Sequence, residues 1–266
     1  MGQANNRALD GEYRNHAVFG RLASYSDFYE SLSESVFSFS TLGTGAACNI
    51  DSYLYSSIKG TLESISMVLA DGRIADAYAL LRRFYDSAMI NIYSNLYLKD
   101  NFSLENLVVK QINDWLHGKQ RLPDFRIISN YIRASARLKE INDLLYADET
   151  YKAIRDRCND FTHYNFYSTV HFNDNQIYLD GRNKALDRFL ADLDNIAILH
   201  HAYLFYLNDH YMTSSDYLDH LECGMTPPPN SQYLVAPFIQ EMFDTLKSSR
   251  KDIADAIKRK TAMQLE

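Results

Sequence analysis

The sequence predicts an all-α protein: an antiparallel helical bundle with one short β-hairpin insertion and a C-terminal helical appendage. Apolar residues recur at spacings of three and four over most of the chain, the period of a buried helix face. The 266 residues include only ten Gly and five Pro, the residues that turns and hairpins consume. The strongest periodic segments are joined by very short connections, which forces neighbouring helices to run antiparallel.

In chain order, residues 1–15 are polar and expected to fray. A helix is expected from Val18 to Phe37, followed by a loop of small residues, Ser38–Asn49 (SFSTLGTGAACN). That loop has the glycines of a phosphate loop but lacks the Lys such a loop needs. Asp51–Leu69 places Leu54, Ile58, Leu62, Ile65 and Leu69 on one face, and Asp71-Gly72 ends it. Ile74–Leu98 follows with the stripe Ala77, Leu81, Phe84, Ala88, Ile92 and Leu96, so the pair reads as an antiparallel hairpin. Ser103 is expected to cap a helix reaching Leu116, and Pro123 to open one reaching Tyr146. A shorter helix is expected over Asp148–Thr162. Ser168–Leu179 (STVHFNDNQIYL) alternates about a central Asn-Asp-Asn and reads as the hairpin. Lys184–Tyr211 is a long helix and Ser214–Glu222 a short one. Gly224 and Pro227-Pro228-Pro229 form a rigid break. The tail Ser231–Ala262 is helical, with Pro237 marking either a kink or a late start. The expected division is an N-terminal helix and loop over 1–50, a bundle over 51–222 and a helical extension over 223–266.

Bulk properties narrow the function classes. A chain of this length buries a core without disulfides or structural metal. The formal charge of −7 argues against a protein that coats nucleic acid electrostatically, but leaves room for a local basic site. Cys48, Cys158 and Cys223 have no CxxC spacing and read as reduced thiols. There is no run of eighteen apolar residues, so no membrane span is expected. The N-terminus has no apolar h-region, and Asn at position 6 breaks the myristoylation pattern. The cytoplasm is the expected compartment.

The segment Tyr151–Tyr167 (YKAIRDRCNDFTHYNFY) carries the most chemistry. As a helix it turns Tyr151, Ile154, Cys158 and Phe161 to the core. At about 100° per residue, Arg155, Asn159 and His163 stack on a second face, with Arg157 on the other flank of the apolar stripe. A His moves protons near neutral pH. An Arg holds a phosphate oxygen with paired hydrogen bonds and offsets charge growing in a transition state. The plain structural alternative is a salt-bridged solvent face, because Arg and Asp at these spacings commonly pair.

Arg157 followed by five residues and His163, late in an all-helical bundle, resembles the motif of the HEPN superfamily (higher eukaryotes and prokaryotes nucleotide-binding domains). The similarity would cover roughly Asp51–Tyr211. It implies a homodimeric, metal-independent endoribonuclease of a defence or toxin type, with no cofactor. In that frame His163 is the general acid or base for attack of a ribose 2′-hydroxyl on the adjacent phosphate, Arg157 stabilises the phosphorane-like transition state, and Asn159 orients His163 or substrate. Cys158 stands where the family often has Asn, Asp or His. Arg155 has seven residues between it and His163, outside the family's range.

On Ile74–Leu98, which also resembles uncharacterised bacterial families related to HEPN, Arg82 and Asp86 interrupt an apolar surface four residues apart. Glu63 on the preceding helix is placed to approach them. They read either as support for His163 or as an ion pair fixing helix register. His200, His201, His210 and the Asp216/His220 pair suggest metal ligands, but no Glu-x-x-His occurs and no metal site is expected. Tyr93/Tyr97, Tyr164/Tyr167 and Tyr203/Tyr206 sit at helical spacing and read as core-rim or oligomer-interface residues rather than base-stacking platforms. The competing function is a non-catalytic helical module that binds a nucleotide or a cognate protein partner.

Overall fold

The computed structural model describes residues 9–177 and 179–266. The expected fraying of residues 1–8 lies outside them, as does Tyr178 within the expected hairpin. The described residues are predominantly helical. α1 (Gly11–Arg14) is one turn, capped by the Asp10 carboxylate, which accepts the Tyr13 N–H. α2 (Ala17–Ser35), α3 (Ile50–Ala70) and α4 (Ile74–Asn101) follow, matching the periodic segments to within three residues. Ile58, Leu62, Ile65 and Leu69 of α3, and Leu81, Phe84, Ala88 and Leu96 of α4, are completely buried. Gly72 makes the turn between these helices at φ +80°, where any side chain would be strained. Its N–H and that of Arg73 close on Leu69 and Val68 carbonyls at 2.8 and 2.9 Å, satisfying acceptors at the end of α3.

The region after α4 departs from expectation. Residues 103–109 are not helical. The Ser103 hydroxyl accepts the Asn106 N–H, but the turn does not propagate. Val109 instead donates to the Gly43 carbonyl at 2.8 Å, and Leu104, Leu107 and Val108 face solvent. With no apolar stripe to bury, a helix there gains nothing from packing. α5 (Lys110–Leu116) starts only afterwards. The long helix expected over Pro123–Tyr146 is broken into α6 (Phe125–Ala134), a 3₁₀ turn and α7 (Lys139–Leu145). The Asn142 amide donates to the Ile132 and Arg133 carbonyls at 3.0 and 3.2 Å, satisfying acceptors that the end of α6 leaves open.

α8 (Thr150–Thr162) is as expected. The described residues of 168–179 form no hairpin. They contain α9 (Tyr167–Val170), a 3₁₀ turn over His171–Asn173, and bends. Arg182, buried to 3%, donates to the carbonyls of Asp174 and Ile177 at 2.7 and 3.1 Å and to that of Gly72 at 2.8 Å. Its guanidinium takes up acceptors that a strand ladder would otherwise use. α10 (Arg182–Leu207) and α11 (Ser215–Glu222) follow. α12 (Pro237–Ser249) begins at Pro237, so the proline marks a late start, and Arg250 separates it from α13 (Lys251–Lys260).

The described residues divide into two compact units with alternating segments. The first takes the chain up to Tyr29, then Ser56–Ala88 and Asp148–Ala197. Tyr29, Ile58, Leu62, Phe84, Phe189 and Leu193 form its core. Polar ties to α10 run from Tyr25 to Asp194 at 2.8 Å and from Tyr78 to Asp192 at 3.2 Å. The second takes Glu30–Tyr55, Met89–Ala147 and Ile198–Glu266. There Arg259 pairs with Glu140 at 2.6 Å, joining α13 to α7, and the Tyr203 hydroxyl donates to the Asn142 side-chain oxygen. No described helix is long and apolar enough to cross a membrane.

Candidate functional site

α8 belongs to the first unit, and its two flanks are built differently. Tyr151, Ile154 and Cys158 are buried along its core face. Burial pushes the Cys158 thiol up to about 12, so it is no nucleophile at neutral pH. Phe161 stacks on Tyr78 with ring centres 4.2 Å apart.

On one flank Arg157 forms a bidentate pair with Asp192 of α10, at 2.7 Å from Nε and 2.9 Å from Nη2. The Asp192 side chain is only 5% exposed, and the Tyr78 hydroxyl donates to the same carboxylate. The hydrogen bonds to Asp192 raise the Arg157 guanidinium above its ordinary range. This is a closed site. The carboxylate accepts three hydrogen bonds, while Arg157, whose side chain is 25% exposed, keeps N–H groups that Asp192 does not take.

On the other flank Arg155 donates from Nη1 to Asp86 Oδ1 at 2.6 Å. Arg82, four residues before Asp86 on α4, approaches Oδ2 of the same carboxylate at 3.9 Å. Its Nη1 lies 3.4 Å from His163 Nε2. A guanidinium only donates, so a hydrogen bond in this contact has Nε2 as its acceptor. His163 is the C-cap residue of α8, exposed, with its N–H donating to the Asn159 carbonyl at 2.9 Å. The helix stops there through a Schellman-type bond, Asn165 N–H to the Asp160 carbonyl at 3.0 Å, with Tyr164 at φ 49°. A tyrosine in the left-handed region costs roughly 1–2 kcal/mol, although Tyr164 and its neighbours Phe166 and Tyr167 are exposed. Asn159 Oδ1 is buried and has no hydrogen-bond donor among the described residues.

The structure therefore brings Arg155, Asp86, Arg82 and His163 into one cluster and puts Arg157 elsewhere. Two guanidinium groups share one carboxylate beside an imidazole. Glu63 does not join them. It is exposed and pairs with Lys59 on its own helix at 3.7 Å. Sequence reasoning missed Asp192 and Tyr78, which lie far from Arg157 in the chain with no local spacing to reveal them.

The histidines proposed as metal candidates are scattered. His200 is fully buried, with Nε2 3.0 Å from Asn91 Oδ1, and burial depresses it to about 3. His201 is likewise buried and depressed. His220 Nδ1 meets the Asp216 backbone carbonyl at 2.6 Å. Among the described residues no three His, Cys, Asp or Glu side chains converge as a metal site would require. Compared with protein-family models, curated proteins and solved structures, the chain matches none.

Proposed function

We propose that the open flank of α8 binds a phosphodiester of single-stranded RNA and cleaves it without metal, with Arg82 and His163 as the groups that touch the scissile phosphate. The observation that supports this reading is the 3.4 Å approach of Arg82 Nη1 to His163 Nε2 beside the Arg155–Asp86 pair. An arriving phosphate oxygen competes for the Arg82 N–H groups and frees Nε2 as a base. The 2′-oxygen then bonds to phosphorus as its proton passes to Nε2. The P–O5′ bond breaks, and the 5′-oxygen takes a proton from water. Arg82 and Arg155 stabilise the charge that grows on the equatorial oxygens. The arginine of the HEPN-like spacing, Arg157, has a different part here and holds α8 on α10. Homodimerisation, in which two such flanks share a cleft, belongs to the same proposal. The free state of Cys48, Cys158 and Cys223 supports a reducing compartment, the cytoplasm.

A second reading rests on the closed Arg157–Asp192 pair. With that arginine committed, the cluster serves as an anion site that captures a nucleotide or an acidic protein partner without cleaving anything. His163→Ala separates the two. Catalysis requires that it abolish cleavage of single-stranded RNA, with EDTA leaving the wild-type rate unchanged. Because His163 is exposed, its melting temperature should barely move. Wild-type protein that leaves varied RNAs intact yet retains them selects the binding module.

A further inference from the structure

The second unit contains a small recess formed in part by the glycine-containing loop that follows α2. Gly43 stands at φ +85°, and a Cβ there would lie 3.0 Å from Leu98 and 3.1 Å from Val109 side-chain carbons. The positive φ favours glycine here, and the bond from Val109 N–H to the Gly43 carbonyl fixes the approach. The neighbouring residues Thr41 and Leu42 thereby close over the last turns of α4 and bound a cavity of about 160 Å³. At about 30 Å³ per liquid water, that is room for roughly five waters, or one ring bearing a small substituent.

Its walls have two characters. Leu42, Leu98 and Phe102 supply apolar surface, while Asn95, Asn208 and Tyr211 supply polar surface. The polar wall is fixed from behind by the buried carboxylate of Asp51. Asp51 accepts from Asn91 at 2.8 Å, Asn95 at 3.0 Å and the Tyr211 hydroxyl at 2.8 Å. The Asn208 amide donates to Asn95 Oδ1 at 2.8 Å, which leaves the Asn208 oxygen as a spare acceptor in a residue 3% exposed. Lys99 and His210 complete the lining, and neither side chain makes a hydrogen bond or ion pair among the described residues.

No carboxylate lines this cavity, although the chain as a whole carries a charge of −7. Asp51, behind Tyr211 and the two asparagines, and Asp209, which accepts the Thr261 hydroxyl at 3.0 Å, lie outside the lining but act electrostatically on Lys99, and Asp209 on His210 as well. The basic groups of the lining itself are one lysine and one histidine.

We propose that this cavity binds a small organic anion. Its acidic head group, carboxylate or phosphate monoester, sits against Lys99 and His210. Its ring or short apolar body lies between Leu42, Leu98 and Phe102. Lys99 and His210 are exposed at the mouth of the recess, and a bound anion favours their charged forms. The preformed polar wall means that a ligand is met by groups already oriented.

Calorimetric titration of the full chain with benzoate, phenyl phosphate, inorganic phosphate and benzyl alcohol tests this. Benzoate or phenyl phosphate is expected to bind saturably, one per chain, and the tighter of the two identifies the head group. Benzyl alcohol, which has the ring without the charge, binds at least about tenfold more weakly, and Lys99→Met weakens the acid by a similar factor, since charge-assisted hydrogen bonds are the strong ones. Leu42→Trp, which fills the recess from an exposed position, removes binding without changing the circular dichroism spectrum. Three results overturn the proposal: no saturable binding of either acid up to the order of 10 mM, a generous limit for so few atoms; equal affinity in wild type and Lys99→Met; or inorganic phosphate binding as tightly as phenyl phosphate.

Discussion

On one flank of α8, Arg157 gives two N–H groups to a carboxylate that is 5% exposed; on the other, Arg82 and Arg155 share a carboxylate that is 35% exposed. The residue types are the same and their spacing on the helix is nearly the same. What differs is how deeply the carboxylate is buried. At Asp192 the bidentate geometry and the Tyr78 hydroxyl hold a carboxylate that is almost sealed from solvent. At Asp86 the carboxylate is open to solvent, with an exposed imidazole beside Arg82. A buried ion pair is costly to break but does no chemistry, whereas a half-open cluster contributes little to stability and is free to act. The presence of Arg and His in a helical motif therefore does not say which arginine works with the histidine.

The largest expected effect comes from opening the closed flank. Asp192→Ala removes a buried carboxylate and leaves the partly buried Arg157 guanidinium without its bidentate partner, which should cost about 3 kcal/mol, read as a drop in the urea midpoint. A change under about 1 kcal/mol would mean that the pair is no more than a surface contact and that the contrast fails.

Burial also divides the titrating groups, and this gives the next effect. His200 is held at about 3 in the folded chain, against about 6.5 when unfolded. Between those values the unfolded chain binds more protons, so stability is lost as pH falls below about 6.5. Between pH 8 and 5 the loss from this one imidazole is about 2 kcal/mol. Asp51 acts in the opposite sense. Burial raises it to about 6, so the folded chain binds the extra proton there, and stability is lost as pH rises from about 4 through 6. Urea melts at pH 8 and pH 5 should show His200→Gln less acid-sensitive than wild type and Asp51→Asn more so. The reverse ranking would show that these environments are wetter than the burial implies.

The smallest effect sharpens the open side. Asp86→Ala removes the shared counter-ion of Arg82 and Arg155 and should change stability by at most about 1 kcal/mol, as partly exposed pairs do. Filter retention of single-stranded RNA should then improve, because two guanidinium groups lose their internal competitor. Weaker retention would make Asp86 part of the binding surface rather than a brake on it.

Much of this architecture was legible in the chain. The stripes on α3 and α4 and the Asp71-Gly72 stop fixed the hairpin, because a continuous apolar face and a glycine turn are local signals. The crowding of Arg155 and His163 on one face of α8, and the pairing of Arg82 with Asp86, were legible for the same reason. The misreadings came from single polar side chains that act at a distance. Asn142 takes the carbonyls at the end of α6 and divides a helix whose periodicity runs through the break. Arg182 gathers the carbonyls of 174 and 177, and the described residues of a segment with strand-like alternation form no ladder. Asp192 is separated from Arg157 by 35 positions. No periodicity carries such information, since it depends on which buried acceptor the folded chain leaves unsatisfied.

The most direct test of the open flank is the single-turnover rate of single-stranded RNA cleavage by Arg82→Gln, measured beside wild type at matched melting temperature. Loss of one donor to a developing oxyanion costs on the order of 10²–10³-fold, and a drop of that size with an unchanged melting temperature is the expected result. A wild-type rate in the variant, or no cleavage by the wild-type protein under any RNA tried, would contradict it.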